Sequence, residues 1–414
     1  MTDNNENKVL NVPHLRFPKF SGEWEICKVS ELLDFYSTNS LSWEQLEYGE
    51  KAMMNLHYGL IHVGLPTMVD LRRDKLPNVK EGNMPKNFEL CKEGDVAFAD
   101  ASEDTNEVAK VIELFNLDNK DIVCGLHTIH GRDNKNKTIV GFKGYAFSSS
   151  AFHNQIRRIA QGTKIYSIST KNFSECYVGI PSKAEQTKIA TLLRLIDERI
   201  ATQNKIIEDL KKLKSAISQH LFSQEPNVWN RLDNLFVKGK AGGTPISTNK
   251  EYYNGNIPFL SINDITRQGK YIWLTEKHIS LNGLENSSAW IVPKHSLIMS
   301  MYASVGLVTI NQVPIATSQA MFSMLLRDKS LLDYLYYYLS YFKYRHIHKY
   351  LETGTQSNIN ADIVSGIMIP DYGYRHNMQI ASMLQSIDMK IDNESSILER
   401  YSQQKNDLLS SLFI

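Results

Sequence analysis

The sequence of 414 residues has almost no excess of charge of either sign. Lys and Arg together number 46 and Asp and Glu number 45, which gives a net charge of +1. Proteins that bind nucleic acid are often strongly basic, so the overall charge gives no support to that function. Any surface for DNA must come from local clusters of Lys and Arg that acidic residues balance elsewhere.

Cysteine is scarce. The four cysteines, Cys27, Cys91, Cys124 and Cys176, lie far apart, and the sequence shows neither a Cys-x-x-Cys pair nor a cluster of Cys with His. This spacing argues against a structural zinc site and against a disulfide framework. We therefore expect no metal in the chain, and free thiols fit a reducing cytoplasm.

Long hydrophobic runs are missing too. The most apolar stretch, residues 331–342, is short, contains Asp333 and is followed by Lys343. It cannot span a bilayer, and the polar first 15 residues lack the apolar core of a signal peptide. We expect a cytoplasmic protein with no membrane segment.

The motifs of DNA-modifying enzymes are also missing. The sequence has no Pro-Pro pair, which the N/D/S-P-P-Y/F loop of base methyltransferases requires, and no Walker-type phosphate loop. Pro370-Asp371 with Asp388-Met389-Lys390 satisfies the loose PD…(D/E)xK pattern of metal-dependent nucleases, but Asp388 and Lys390 lie within a predicted helix. His346 and His348 lack a third ligand at helical spacing. We therefore predict no catalytic residues, and no cofactor, in this chain.

An internal repeat is the main positive feature. Residues 189–222 superpose on residues 380–413 without a gap when 191 is added to each position. Eleven positions keep their residue type, among them Ile189, Leu193, Asp197 and Phe222. A repeat of this quality fixes the architecture of a chain.

Each copy of the repeat has the pattern of one long amphipathic helix, because apolar residues recur every three, four or seven positions and neither copy contains Gly or Pro. Such a helix needs a partner for its apolar stripe. Residues 183–214 carry a net charge of +3 and residues 371–407 carry −2, so opposite charge favours pairing of the two helices. The alternative is two unrelated helices, each packed on its own domain. The predicted interface consists of Ile189, Leu193, Ile196, Ile200, Ile207, Leu210, Ile217, Ile380, Leu384, Ile387, Ile391, Leu398, Tyr401 and Leu408.

The helices separate two blocks, residues 10–180 and 225–369, which we call block one and block two. Both have short runs of Tyr, Phe, Ile and Val broken by Gly, Asn and Asp, which predicts mixed α/β structure. They open alike at Trp24 and Trp229, close alike around Gly162-Thr163 and Gly354-Thr355, and diverge between. Similar frames with different interiors suggest one task performed on two different targets.

Block two opens with KGKAGGTP, residues 238–245, in which we predict a tight loop with exposed backbone N–H groups, flanked by Lys238 and Lys240. Such a loop can bind a phosphate, although an ordinary surface turn explains it equally well. For residues 257–265, IPFLSINDI, we predict a strand followed by a loop, and the polar side chains of that loop can contact base edges.

The GGTP loop, IPFLSINDI, MYASVG, ATSQAMFSM, GTQSNIN and the Ile-Pro pair before a long helix, in this order, resemble a target recognition domain of type I restriction-modification specificity subunits. HYGLIHVGLP, EGDVAFADASEDTNEVAK, CGLHTIHGRD and IRRIAQGTKIYSIS form a diverged version in block one, where GGTP and SINDI have no close counterpart. The resemblance covers nearly the whole chain.

The resemblance implies an α/β fold with two α/β target recognition domains, separated by two long helices that form an antiparallel coiled coil, in a pseudo-twofold repeat. The expected boundaries are residues 1–182, 183–224, 225–371 and 372–414. Each domain would read one half of a bipartite, asymmetric site in double-stranded DNA, and the helices would set the spacer. Two methyltransferase subunits would bind the specificity subunit, and restriction (translocase) subunits would join them. Methyl donor, Mg²⁺ and ATP would be bound only by these partners.

Motif position and charge supply the candidate DNA contacts. Polar residues of the motifs could reach bases, and Lys and Arg could contact phosphates. The candidates are His57, Tyr58, His62, Arg72, Arg73, Arg157 and Arg158 in block one, and Lys238, Lys240, Gly243, Thr244, Ser261, Asn263, Arg267, Ser304, Gln319, Lys343 and Arg345 in block two.

Two other functions fit parts of the sequence. A coiled-coil adaptor that binds proteins would explain the helices and the near-neutral charge, but not the shared frames with different interiors. A nuclease using Asp371, Asp388 and Lys390 would require residues of a long helix to form a metal site. The aromatic run at residues 333–350 could stack on bases. The apolar residues Leu332, Leu335, Leu339 and Phe342 share a helical face, however, which favours packing within the domain.

Overall fold

Residues 11–49, 53–350 and 358–414 are described in a computed structural model of the chain. They form two units. Unit one comprises the residues up to Asn204 together with Ser396–Ile414, and unit two comprises Lys205–Ser395. Each unit thus contains one of the two blocks and part of each long helix. In the described ranges, no helix is long and apolar enough to cross a membrane.

Block one is a mixed α/β structure with a five-stranded sheet, a four-stranded sheet and two two-stranded sheets in its described residues. Its strands are β1 (Glu25–Lys28), β2 (Asp34–Tyr36), β3 (Leu46–Glu47), β4 (Met53–Leu56), β5 (Met68–Asp70), β6 (Asn78–Val79), β7 (Val96–Ala99), β8 (Ala101–Ser102), β9 (Val111–Asn116), β10 (Asp121–Cys124), β11 (Thr128–Arg132), β12 (Tyr166–Ser167) and β13 (Tyr177–Ile180). Its helices are α1 (Val29–Leu32), α2 (Tyr58–His62), α3 (Lys143–Phe147), α4 (Ser150–Ile159) and α5 (Thr170–Ser174).

The first long helix, α6 (Lys183–Phe222), leads into block two, and the second, α11 (Tyr374–Ser411), follows it. The strands of block two are β14 (Val228–Arg231), β15 (Phe236–Ala241), β16 (Tyr253–Leu260), β17 (Tyr271–Ile272), β18 (Lys277–Ile279), β19 (Ile291–Val292), β20 (Leu297–Ser300), β21 (Val308–Asn311), β22 (Ile315–Thr317), β23 (Met321–Leu326) and β24 (Met368–Asp371). Its helices are α7 (Ile262–Gln268), α8 (Leu281–Glu285), α9 (Leu332–Arg345) and α10 (Ala361–Ser365).

The two blocks share most of their topology, although block one has an additional two-stranded sheet of β8 and β12. A five-stranded sheet has the order β2-β11-β7-β9-β5 in block one and β15-β23-β20-β21-β17 in block two, and a two-stranded sheet joins β1 to β13 and β14 to β24. The four-stranded sheets share a centre, in which β4 lies between β10 and β6, and β16 between β22 and β18. The peripheral strand differs, because β3 adds beside β6 whereas β19 adds beside β22. The predicted repeat therefore extends from the helices to the blocks.

The opening frames are equivalent, but their predicted register is wrong by two residues. Ile180 and Asp371 are equivalent positions, because they differ by the repeat offset of 191. Glu25 pairs with Ile180 and Val228 pairs with Asp371, so Glu25 corresponds to Val228. Trp24 therefore corresponds to Asn227 and not to Trp229. Trp24 is buried against Phe413, whereas Trp229 is about half exposed. A one-dimensional match of two tryptophans misplaced the frame because the strand register is set by pairing with β13 and β24. The closing frame of block two, at Gly354-Thr355, lies outside the described residues.

Both long helices contribute to both hydrophobic cores. The core of unit one includes Ile189 and Leu193 from α6 and Leu409 from α11, and the core of unit two includes Phe222 from α6 and Leu384 from α11. Every residue of the predicted apolar stripe is buried or half-buried. The stripe is therefore covered along both helices, as an antiparallel coiled coil requires.

Repeated ion pairs join the helices within each unit. In unit one Lys405 Nζ lies 2.7 Å from an Asp197 oxygen, and Tyr145 donates a hydrogen bond of 2.8 Å to the same carboxylate. In unit two Lys214 pairs with Asp388, to which Tyr337 donates a bond of 2.8 Å. Addition of 191 converts Asp197 into Asp388 and Lys214 into Lys405, so each unit pairs the Asp of one repeat copy with the Lys of the other.

The nuclease hypothesis is wrong on geometry. Asp388 lies 14 residues after Tyr374, the first residue of α11, which is about 21 Å of helix at 1.5 Å per residue. Asp371 precedes this helix and accepts hydrogen bonds from Gly373 and Asn377. Its carboxylate and that of Asp388 cannot share a metal ion.

Candidate nucleic-acid interface

The described candidates of block two meet at one edge of its sheets. β16 and β22 run parallel with Leu260 beside Thr317, so Ser261 and the turn before β23 follow at the same edge. Thr244 Oγ1 donates a hydrogen bond to Gln319, and the N–H of Met301 donates one of 2.7 Å to the carbonyl of Ala320. We call Thr244, Ser261, Ser304 and Gln319 the second-unit edge.

The predicted phosphate loop is wrong. The N–H of Gly242 donates to the carbonyl of Met321 at 3.1 Å and that of Gly243 to the carbonyl of Thr317 at 2.9 Å, and both glycines are buried. A Cβ at Gly242 would lie 1.9 Å from the Thr317 oxygen, so this segment requires glycine for close packing of two backbones. The donors that a phosphate would need are used within the sheet, which leaves Thr244 as the exposed candidate of the loop.

In the predicted segment 257–265, strand β16 ends at Leu260 and helix α7 begins at Ile262, so a helix and not the predicted loop follows the strand. Ser261 is the N-cap, because its Oγ accepts from the N–H of Asp264 at 3.2 Å and donates to the Asp264 carboxylate at 2.6 Å. This reciprocal arrangement stabilises the first turn of a helix. Ser261 is therefore half-buried and engaged, while Asn263 and Arg267 are exposed on α7.

The loop after β20 has a strained backbone. Ala303 and Ser304 have φ of 42° and 56°, in the left-handed region that residues with a Cβ rarely adopt. Ser304 is exposed, and its carbonyl accepts from Ser300 Oγ at 2.8 Å, which fixes the loop. Strain of this kind clusters at binding sites, where the loop must present particular groups.

The basic candidates of block two are spread around this edge. Lys343 borders the strained loop, since a Cβ at Gly306 would lie 3.1 Å from its Cγ. Lys238 lies over the Trp290 ring at 4.3 Å, and Lys240 is exposed two residues further along β15. Arg345 is exposed and donates to Gln219 of α6. Most rings of the aromatic run, among them those of Tyr334, Tyr337 and Tyr338, pack in the core as predicted.

Block one has a corresponding edge. β4 and β10 run parallel with Leu56 beside Cys124, so His57 and the turn containing His127 follow together. The ring of Tyr58 lies 4.7 Å from that of His57 and 5.3 Å from that of His127. Trp43, which is nearly half exposed, stacks on His57 at 4.5 Å. We call Trp43, His57, Tyr58 and His127 the first-unit edge.

His57 and Ser261 occupy equivalent positions. His57 is the N-cap of α2, and its Nδ1 accepts from the N–H of Gly59 at 3.1 Å. It is buried, so it supports the edge and does not project from it. His62 is turned toward strand β8, where a ring nitrogen lies 2.9 Å from the carbonyl of Ala101.

Sequence reasoning missed His127 and Trp43. His127 is exposed, has φ of 54°, and places Nδ1 3.2 Å from Asp100. A histidine with a left-handed backbone in a tight turn between two strands is a structural signal that no spacing in the sequence reveals. Trp43 lies in a short 3₁₀ segment, and its position beside His57 results from the sheet alone.

The arginines of block one are divided. Arg72 and Arg73 line a cleft of about 860 Å³ with Met54 and Asp121, at the end of β4 and β10 opposite to His57. Arg72 also donates two hydrogen bonds to Asp70. The structure therefore does not bring these arginines to the first-unit edge. Arg157 and Arg158 are exposed on α4, where Arg157 donates to Asn106 in the loop between β8 and β9.

His57 should make the fold sensitive to acid. Burial lowers the pKa of His57, and nearby His127 lowers it further. The unfolded chain then binds a proton more readily than the folded protein, so this contribution to stability is present above about pH 6.5 and is lost as pH falls below it. The variant His57→Asn keeps an N-cap acceptor without a titrating group. We expect it to lose less stability than the wild type between about pH 7 and 5, as measured by urea unfolding, and equal losses would contradict the assignment.

The prediction of scattered cysteines is wrong in one place. The ligand atoms of Cys91, Cys124 and His130, all buried, lie within 4.8 Å of one another. The two sulfurs are 3.6 Å apart. Folding brings them together because the N–H of Cys91 donates to the carbonyl of Ile122 at 2.8 Å, beside the strand that ends in Cys124. Linear spacing carries no record of this pairing.

Comparison with known proteins gives a consistent result. A family model described as the type I restriction modification DNA specificity domain matches residues 74–212 and 226–400. The type I restriction enzyme MjaIX specificity subunit of Methanocaldococcus jannaschii is 26% identical over 179 residues, 42% of this chain and 40% of that protein. The HindI specificity subunit of Haemophilus influenzae is 33% identical over 133 residues, 31% of this chain and 28% of that protein. These alignments span less than half the length of either curated relative.

Solved structures resemble the chain over nearly its full length. The crystal structure of a type I restriction-modification system S subunit from M. genitalium has a TM-score of 0.57 at 16% identity, covering 97% of this chain and 99% of that chain. A chain from a structure on complex assembly and conformational transition of the type I R-M system has a TM-score of 0.59 at 15% identity, covering 96% and 98%. At these identities the likeness concerns the fold.

Proposed function

The chain belongs to the type I restriction-modification DNA specificity family, and we propose that it is the subunit that selects the DNA sequence for a type I complex. In this proposal unit one binds one half of a bipartite, asymmetric site and unit two binds the other half. The chain catalyses no reaction itself and acts in the cytoplasm on double-stranded DNA. Two methyltransferase subunits dock on it, and restriction subunits join this core.

One observation carries the proposal above all others. The two units share a topology, and in both the parallel strand pair ends in an exposed polar edge, yet the residues at the two edges differ. The first-unit edge presents histidine and aromatic rings, and the second-unit edge presents hydroxyl and amide groups. Direct reading of DNA depends on the type of donor and acceptor at each base pair, so different residues on one scaffold select different half-sites.

The near-neutral charge is compatible with this function. The segment between β7 and β9 in block one carries Asp100, Glu103, Asp104 and Glu107, and these carboxylates offset basic residues elsewhere. Phosphate contacts would then come from local groups such as Arg157, which is exposed on α4, and Lys343, which borders the strained loop of the second-unit edge. Such contacts position the protein and make binding depend on salt, whereas the edge residues give the sequence preference.

The test is to co-express the full chain with a methyltransferase subunit of the same system and to map methylated sites in the host DNA. We expect one split motif with two short defined halves and a fixed gap. Gln319→Ala should relax the preference in one half and His127→Ala in the other half, by about 1–3 kcal/mol per affected base pair.

The two variants serve as controls for each other. Lys329→Ala, an exposed change beyond the opposite end of β23 from Gln319, should leave both halves unchanged. Loss of preference in both halves from either edge variant would contradict the assignment of one half to each unit. An assembled, active complex that produces no split motif would instead favour a protein-binding adaptor.

A further inference from the structure

The group formed by Cys91, Cys124 and His130 has a property that a packed core does not explain. His130 has no exposed side-chain surface, its Nε2 lies 2.7 Å from Asp95, and its Nδ1 is buried without a hydrogen-bond partner. A buried polar atom without a partner is costly, by about 1–3 kcal/mol. A ring nitrogen of His130 lies within 4.8 Å of both sulfurs, and two thiols with one imidazole are ligand types that a metal ion takes.

We propose that Cys91, Cys124 and His130 bind one zinc ion in unit one. Zinc takes thiolate and imidazole ligands in tetrahedral geometry, and two thiolates with one imidazole leave a fourth position for water. Two sulfurs bound to one zinc at 2.3 Å lie about 3.8 Å apart in that geometry. The sulfurs of Cys91 and Cys124 are 3.6 Å apart, close to that value and much longer than the S–S bond of a disulfide.

The surroundings fit a metal site. Ligating histidines usually donate their second ring N–H to a carboxylate, which fixes the ring and raises its basicity. Asp95 occupies that position on His130, and Arg132 donates to both oxygens of the same carboxylate, at 2.9 and 2.8 Å. Two thiolates would neutralise the two positive charges of the zinc ion, and the guanidinium of Arg132 neutralises the carboxylate of Asp95. The buried group would then carry no net charge, as burial requires.

The group belongs to unit one alone. Strands β10, β11 and β7 of block one correspond to β22, β23 and β20 of block two, and the paired strands match in register. The position of Cys124 is therefore occupied by Thr317, that of His130 by Ser323 and that of Asp95 by Ser296. Hydroxyl groups do not form a zinc site of this kind. The zinc would link β10 to β11, the two strands that flank the turn carrying His127, and thus hold the first-unit edge in place.

The test uses the full chain, purified under reducing conditions without chelator, with metal content measured by elemental mass spectrometry. We expect about one zinc per chain. Cys91→Ser, Cys124→Ser and His130→Gln should each reduce this to below about a tenth. Cys27→Ser and Cys176→Ser are matched controls, because both thiols are buried in the same unit outside the group, and they should keep the zinc.

A second measurement does not depend on the folding of any variant. Cobalt(II) added to the metal-free wild-type chain should give the thiolate-to-cobalt charge-transfer absorption, and zinc should remove it. Absence of this band, equal zinc content in Cys124→Ser and Cys176→Ser, or a disulfide between Cys91 and Cys124 in the reduced, freshly purified chain would overturn the proposal. Failure of the DNA-reading test would leave these readouts unaffected, since they measure metal alone.

Discussion

Truncation of Leu193 or of Leu384 to alanine should each destabilise the fold by about 2–5 kcal/mol, because each change leaves a cavity in a core that cannot collapse around it. Both side chains are fully buried, at 0% exposure, and they occupy the same position in the two copies of the repeat. Leu193 packs in the core of unit one and Leu384 in that of unit two. We therefore expect similar losses from the two variants, in spite of the different sequences around them.

Denaturant unfolding of the full chain, followed by far-ultraviolet circular dichroism, measures the effect. Leu195→Ala and Leu213→Ala are the controls, since these leucines lie on α6 with 48% and 50% of their surface exposed. They should change stability by no more than about 0.5 kcal/mol. If the buried and the exposed variants lose the same stability, the helices are not parts of the two cores.

Replacement of Glu113 by alanine should cost about 3–5 kcal/mol, because it removes one partner of a buried ion pair and leaves the other charge uncompensated. The Glu113 carboxylate is wholly buried, accepts from the N–H of Gly141 and of Gly144 at 2.8 Å each, and lies 3.2 Å from Lys143 Nζ. Burial raises the pKa of Glu113 although Lys143 and the two N–H groups act against it. The network fixes helix α3 on strand β9.

Unit two shows how the same contact is made without charge. Strands β9 and β21 are equivalent, and their register places Ile310 at the position of Glu113. Tyr145 and Tyr337 are equivalent too, because they donate to the equivalent carboxylates of Asp197 and Asp388. Leu335, two residues before Tyr337, therefore takes the position of Lys143, two residues before Tyr145. Ile310 and Leu335 are both buried in the core of unit two. The double variant Glu113→Ile with Lys143→Leu should therefore recover part of the stability that Glu113→Ala loses, as buried ion pairs replaced by apolar residues often do.

Thermal and urea unfolding of the single and double variants decides this prediction. Glu198→Ala is the control, because Glu198 is only half-buried, with 39% of its side chain exposed, and pairs with Arg194 on the same helix; its loss should be below about 0.5 kcal/mol. A double variant no more stable than Glu113→Ala would mean that the two N–H groups of Gly141 and Gly144, and not the ion pair, dominate the network.

The sequence by itself determined the repeat, the two long helices and their apolar stripes. A stripe with helical period requires only that residues on one face recur every three or four positions, which is a property of the chain read in one dimension. The same holds for the order of the blocks and for the helical packing of the aromatic run, where Leu335, Leu339 and Phe342 are buried and Leu332 is half-buried.

Only the tertiary structure decided which residues meet. The parallel pairing of β4 with β10 and of β16 with β22 brings His127 to His57 and Gln319 to Ser261, while it places Arg72 and Arg73 at the other end of the strands. It also uses the N–H groups of Gly242 and Gly243 within the sheet and joins Cys91 to Cys124 across 33 residues. These outcomes depend on strand pairing between distant segments, and no local spacing encodes them, because a shift of one residue in register turns every side chain to the opposite face.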